Sequence, residues 1–130
     1  MRHHKLGARA RYRQQELQRV NDSVSLAKKF RKLKSLTVEL EFRNPERLRV
    51  GSHLKYKVNL ENTKSVFRFD CPNTECICGD FDLSEVLAKA VTGRRKTVSG
   101  EVTCPGWRSR ACVGEEHCPN VLRYRFNLGY

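Results

Sequence analysis

Six cysteines are the residues of this 130-residue chain whose type and spacing could do chemistry: Cys71, Cys76, Cys78, Cys104, Cys112 and Cys118. Three are followed by proline, in Cys71-Pro72, Cys104-Pro105 and Cys118-Pro119. A proline after a ligand fixes a turn and helps aim backbone amides at sulfur. Thiolates carried in pairs on two turns are the donor set of a tetrahedral zinc ion, which takes four N or S ligands. The reading selects Cys71, Cys76, Cys104 and Cys118 as ligands and Zn2+ as the cofactor. Cys71-Pro-Asn-Thr-Glu-Cys76 has the span of a short knuckle. Cys78 stands one step further, before Gly79-Asp80, where the chain must turn toward a helix. Cys112 follows Arg108, Ser109, Arg110 and Ala111 with no turn residue attached. His117, beside Cys118, is an alternative ligand but reads better as an exposed loop histidine. Against metal stand reduced core thiols and disulfides. Neighbours such as Pro, Asn, Glu and Gly are unlike the surroundings of core cysteine. The start, Met-Arg-His-His-Lys, has no apolar stretch behind it, so no secretory leader and no oxidising compartment are expected.

Other constellations are thin. Asp80 and Asp82 flank Phe81 and read as a turn and a helix cap. Glu115-Glu116-His117-Cys118 lacks the second histidine or distant carboxylate that a catalytic zinc would need. No phosphate-binding glycine loop and no serine elbow is present. The expectation is a protein that is not an enzyme, with a small metalloenzyme as the least favoured alternative.

The elements that must position these cysteines can be read from periodicity. Residues 37–42 alternate, with Val38, Leu40 and Phe42 on one face and Thr37, Glu39 and Glu41 on the other. A second strand carries Leu54, Tyr56, Val58 and Leu60. A turn at 61–64 should join it in a hairpin to a third strand over 65–70, with Phe67 and Phe69 inward. Asp82 and Glu85 have the spacing of a capping box. Leu83, Val86, Leu87, Ala90 and Val91 form the apolar stripe of a helix that Gly93 ends. Arg94, Arg95 and Lys96 stand where a helix C-terminus favours cations. Residues 97–103 and 121–128 are the last strands, the latter with Leu122, Tyr124, Phe126 and Leu128 inward. Each cysteine cluster thus sits at a strand end. The pattern is α+β: a small, mostly antiparallel sheet with two helices, zinc-stabilised, plus an extended basic N-terminal arm.

Two cysteine-bearing turns pinned at the ends of β-hairpins resemble a zinc ribbon or zinc-knuckle module over residues 66–128. The resemblance is one of architecture. It implies the company of ribosomal, transcription and nucleic-acid-processing proteins, where such modules are common.

Charge is distributed unevenly. The chain holds 26 Lys and Arg against 14 Asp and Glu, a net of +12. Residues 1–35 carry 11 basic and 2 acidic residues, a net of +9, which leaves +3 for residues 36–130. The first segment reads as a basic arm and helix, the second as the zinc-binding α+β body. Arg2, Lys5, Arg9, Arg11 and Arg13 have little around them to bury, so that stretch should be disordered alone. Residues 14–34 look helical, with Leu17, Val20, Val24 and Ala27 at steps of three and four. Asn21-Asp22-Ser23 interrupts the run and offers a cap. Beyond the break Lys28, Lys29, Arg31, Lys32 and Lys34 have no local acid. A single-sign face repels itself and favours a polyanion. One Phe and no Trp on that helix argue against an anionic membrane surface, and no apolar run approaches the roughly 20 residues of a membrane helix.

Tyr12, Trp107 and Tyr130 are aromatics that could stack on bases. Trp107 shares a loop with Arg108 and Arg110, which suits RNA; equally, it could cover the zinc knuckle. The candidate nucleic-acid contacts are Arg2, Lys5, Arg9, Arg11, Arg13, Arg19, Lys28, Lys29, Arg31, Lys32, Lys34, Trp107, Arg108 and Arg110. The expected function is RNA binding on structured RNA such as rRNA, in a cytoplasmic ribosome or other ribonucleoprotein, with no membrane partner. The rival is an adapter that binds other proteins of a transcription or translation complex.

Overall fold

The computed structural model describes residues 2–44, 50–72, 76, 79–107 and 117–130. In chain order these are α1 (Arg2–Asp22), α2 (Leu26–Lys29), β1 (Ser35–Arg43), β2 (Val50–Lys57), β3 (Arg68–Asp70), β4 (Asp80–Asp82), α3 (Ser84–Thr92), β5 (Thr97–Thr103) and β6 (Val121–Gly129). The architecture is α+β, and no described helix is long and apolar enough to cross a membrane.

The alternating patterns of β1 and β6 meet at the centre of a four-stranded antiparallel sheet of order β2-β1-β6-β5. Val38 lies opposite Phe126, Leu40 opposite Tyr124 and Phe42 opposite Leu122. Because side chains alternate with period two, this register puts Leu36, Val38, Leu40 and Phe42 on the same face as Leu122, Tyr124, Phe126 and Leu128. The other face pairs charges across strands, with Glu39 opposite Arg125, Glu41 opposite Arg123, and Arg123 bonded to Glu101 of β5 at 2.9 Å. A second, two-stranded sheet of β3 and β4 closes over the apolar face. Phe81 packs tilted against Phe42 and Phe67 edge-on against Phe126, both with centroids 5.8 Å apart. Leu83 at the N-cap of α3, Leu87 and Ala90 within it, and Leu26 and Leu33 from the basic segment complete the core.

Several elements depart from expectation. The hairpin expected between the second and third strands is absent: β2 pairs with β1, and β3 with β4. A period-two pattern shows that a strand has a buried face but does not name its partner. The intervening segment instead spends its backbone on the basic segment, where Leu26 N donates to Thr63 O, Ala27 N to Leu60 O and Ser65 N to Val24 O. Leu54 and Tyr56 share the apolar face but stand on an edge strand, so they remain 49% and 40% exposed.

Residues 2–13, expected to be disordered alone, continue the α1 helix. The packed side of α1 is not the apolar stripe, since Leu17 and Val24 are exposed. It is a polar row through Tyr12, Glu16 and Arg19. Arg19 bonds Glu16 and, at 2.8 Å, Asp82; Arg68, largely buried, bonds Asp80 at 2.9 Å, Asp70 at 3.0 Å and Glu16 at 3.4 Å. Burial, followed by the charge of Asp80, pushes the Tyr12 hydroxyl up to about 12. The expected break does fall at Asp22, and Ser25 caps α2 by accepting from Lys28 N. At α3 the capping box is displaced. Asp82 belongs to β4 and its Oδ1 accepts from Ser84 N, whereas Glu85 pairs with Lys89 on the surface.

Candidate metal centre

Four of the cysteines converge. Cys71 follows β3, Cys104 follows β5 and Cys118 precedes β6, while Cys76 comes from the connection between β3 and β4. Pairing of Thr103 with Val121 brings the last two strands together at this end of the sheet. Beyond it the two chains continue as a clasp. Cys104 N donates to Asn120 O and Cys118 N to Gly106 O, each at 2.9 Å.

The ligand atoms of Cys71, Cys76, Cys104 and Cys118 all lie within 4.8 Å of one another, and all four residues are buried. Cys71 Sγ is 3.7 Å from Cys118 Sγ, and Cys76 Sγ is 3.6 Å from Cys104 Sγ. A disulfide would hold sulfurs about 2.05 Å apart. Four sulfurs around one ion with bonds of about 2.3 Å would stand about 3.8 Å apart at the corners of a tetrahedron. The observed separations fit the second case.

The surroundings favour charged sulfur at some positions and penalise it at others. Gly106 N–H points to Cys104 Sγ at 3.4 Å, and the Asn120 side-chain amide donates to Cys71 Sγ at 3.3 Å. Such donors stabilise thiolate. The crowd does the reverse. At Cys76 a hydrogen bond with Cys104 lowers the pKa, but one with Cys71, burial and the charges of Cys71 and Cys118 outweigh it and push the thiol up to about 12. Hydrogen bonds with Cys71 and Cys76, then burial, drive Cys104 upward as well. Four buried sulfurs cannot all ionise together unless a cation sits among them. The donor set and its geometry therefore suit a metal ion.

Backbone packs tightly beneath the cluster. A Cβ at Gly106 would strike Cys76 Sγ and come within 2.6 Å of Gly79 Cα; one at Gly79 would strike Cys76 Sγ and lie 2.6 Å from Cys104 Sγ. Both glycines have negative φ. They are needed for room, not for backbone freedom. Sequence reading treats Gly79 as a turn residue only, and it singles out neither Gly106 nor Asn120, whose Oδ1 is buried without a hydrogen-bond partner among the described residues.

The remaining candidates fall into four groups. Cys78, Cys112, Arg108 and Arg110 lie outside the described residues. Trp107 is half-buried and stacks on the exposed His117 with centroids 3.9 Å apart, the two residues also forming a β-bridge. His117 is not among the clustered ligands. Arg2, Lys5, Arg9, Arg11 and Arg13 belong to α1, and Arg19 is engaged by two carboxylates.

Lys28, Lys29, Arg31, Lys32 and Lys34 are exposed, and the structure adds Arg94, Arg95 and Lys96 to them. Lys28, Lys29, Arg31, Lys32 and Arg94 line one cleft of about 380 Å3 with Phe30, Val91, Thr92 and Tyr130. Lys34 N donates to Gly129 O, and Lys96 O accepts from Leu128 N, so these two bracket the end of β6 beside Tyr130. No protein-family model, curated protein or solved structure matches this chain.

Proposed function

We propose that this protein is a non-enzymatic RNA-binding module whose body is held together by one zinc ion, and that it docks on structured RNA in a ribosome or another ribonucleoprotein. One observation carries the RNA reading. Eight exposed cations, from residues 28–34 and 94–96, gather around the end of β6, and none makes an ion pair with a described acid. Elsewhere many acids are paired with bases, as at Glu16, Glu41, Asp70, Asp80, Asp82, Glu85 and Glu101. A cationic face left unmatched amid such pairing costs self-repulsion, and phosphates relieve it. Zinc is the metal of choice because a closed, buried set of four thiolates at tetrahedral spacing is its structural site. A second reading, a protein-binding adapter, draws on the groove of about 540 Å3 between α1 and residues 62–70, where Leu17 and Tyr56 stand exposed.

The test is binding of the zinc-loaded protein to an rRNA-derived stem-loop across a salt series, with sedimentation against ribosomal particles alongside. Lys28→Glu with Lys32→Glu should reduce affinity by at least tenfold and flatten the salt dependence. Equal affinity and an equal slope in that double variant would overturn the reading.

A further inference from the structure

We infer that the cleft between the 28–32 turn and the C-terminal end of α3 seats one unpaired nucleotide of the bound RNA, with its phosphate among Lys28, Lys32 and Arg94 and its base on the Tyr130 ring. The inference rests on the RNA-binding reading above and specifies the form of RNA that the basic face takes.

The lining comes first. The cleft has five cations and no acidic side chain. Its volume falls within the range of about 300–1,000 Å3 typical of small-ligand sites.

The backbone of Arg94 is the second observation. Helices commonly end with a residue in the left-handed region, and glycine is the usual occupant. Here Gly93 is at hand but has φ −81°, and the left-handed turn falls on Arg94, at φ 50°. It is the one described non-glycine residue with positive φ. A long side chain there is strained, and such strain persists where it serves a site. The turn closes through Arg94 N to Val91 O at 3.0 Å and Arg95 N to Ala90 O at 2.9 Å, and Arg94 lines the cleft.

Tyr130 supplies the third. Its hydroxyl donates to Arg95 O at 2.9 Å and lies 3.3 Å from Ala90 O, so both sides of the strained turn hold it. The residue is nevertheless 37% exposed. An aromatic fixed at its tip loses little freedom when a base stacks on it. A base held in a duplex cannot reach such a ring, whereas a splayed base of single-stranded RNA can.

The experiment uses the full, zinc-loaded chain and two labelled probes: a mixed-sequence single-stranded RNA 12-mer, and the same sequence as a duplex. Tyr130→Leu should weaken single-strand binding about 5- to 100-fold at unchanged salt slope, with the duplex unaffected. Tyr130→Phe, which also loses the hydroxyl but keeps the ring, should retain most of the affinity. Arg94→Gly should lower single-strand affinity and reduce the slope by about 0.7, while its melting temperature rises by a few degrees because the strain is gone. Wild-type affinity for the single strand in both Tyr130→Leu and Arg94→Gly would remove the nucleotide seat and leave RNA binding by the wider basic face standing. Wild-type protein that binds neither probe in moderate salt would overturn both readings.

Discussion

Replacing Gly106 by alanine should cost the protein its metal. The added methyl would overlap Cys76 Sγ and approach Gly79 Cα to 2.6 Å and Gly79 N to 2.9 Å. Carbon atoms rest at about 3.5–4.0 Å, so the backbone contact alone demands movement of roughly 1 Å. Neither side can yield freely. Gly106 O accepts from Cys118 N, Gly106 N donates to Cys104 Sγ, and Gly79 lies against the same sulfurs. Ligand distances in a metal site hold to about 0.2 Å, so a shift of that size is beyond what four sulfurs can share. Overpacking of a tight interior costs about 1–3 kcal/mol, and at this position most of it falls on the metal-bound state. Zinc affinity, read by competition with a chromogenic chelator, should fall about 10- to 100-fold, with a lower melting temperature for the loaded protein. Gly93→Ala is the control: its Cβ would meet nothing closer than Lys89 O at 3.4 Å, and its φ is negative. Wild-type zinc affinity in Gly106→Ala would refute the reasoning, because the sulfurs would then not be where the clash occurs.

Elemental analysis should find one zinc per chain, and a strong chelator should unfold the body, because metal-binding energy is folding energy in a small core. Cys71→Ser and Cys118→Ser should abolish zinc uptake, whereas Cys78→Ser and Cys112→Ser should keep it. Removal of residues 1–10 takes away Arg2, Lys5 and Arg9 but spares Tyr12, Glu16 and Arg19; the melting temperature should hold and the salt slope of RNA binding should fall by about 2, while removal through residue 20 should also destabilise the fold. Glu16 is held below the ordinary carboxylate range, first by its hydrogen bond from Arg19, so the stability it contributes is complete above about pH 4.3 and drains away as pH falls through its lowered value. Arg19→Ala should therefore lose about 1 kcal/mol in neutral urea titrations, with the gap to wild type closing in acid.

How much of this was legible in the sequence depends on whether a feature is local. The alternation of 37–42 and 122–128 and the stripe of α3 have local causes, and they stand where expected. Proline turns at strand ends mark Cys71, Cys104 and Cys118, and a short spacing from Cys71 marks Cys76; these four cluster, while Cys78 and Cys112 lie outside the described residues. Partner choice leaves no such mark. The pattern around Leu54 is the same whether its neighbour is β1 or β3. The α1 face was misread because its docking is ionic: Glu16 and Arg19 look like solvated residues until Arg68, Asp80 and Asp82 arrive from the other end of the sequence. Arg94 to Lys96 read as compensation of a helix dipole, and nothing local says that Lys28 to Lys32 lie beside them.

Those two distant features share one strand. β6 begins beside the cysteine cluster at Val121 and ends at Gly129, next to Tyr130. Nine residues of antiparallel strand span about 27 Å, so the cysteine cluster and the basic cleft occupy opposite ends of one rigid element. A metal at the first end would pin β5 to β6 and β3 to both. At the far end, Lys34 and Lys96 are hydrogen-bonded to the strand that this clamp holds in place. In the proposed function the ion would then serve RNA binding only through the fold, with no contact of its own. Chelation should reduce affinity in step with loss of folded protein and no faster, and a variant that stays folded without metal should keep its RNA. Trp107, stacked on His117 at the cysteine end, is too far from Tyr130 to share a base with it. If both aromatics touch RNA, they touch different stretches, and their substitutions should add independently in affinity.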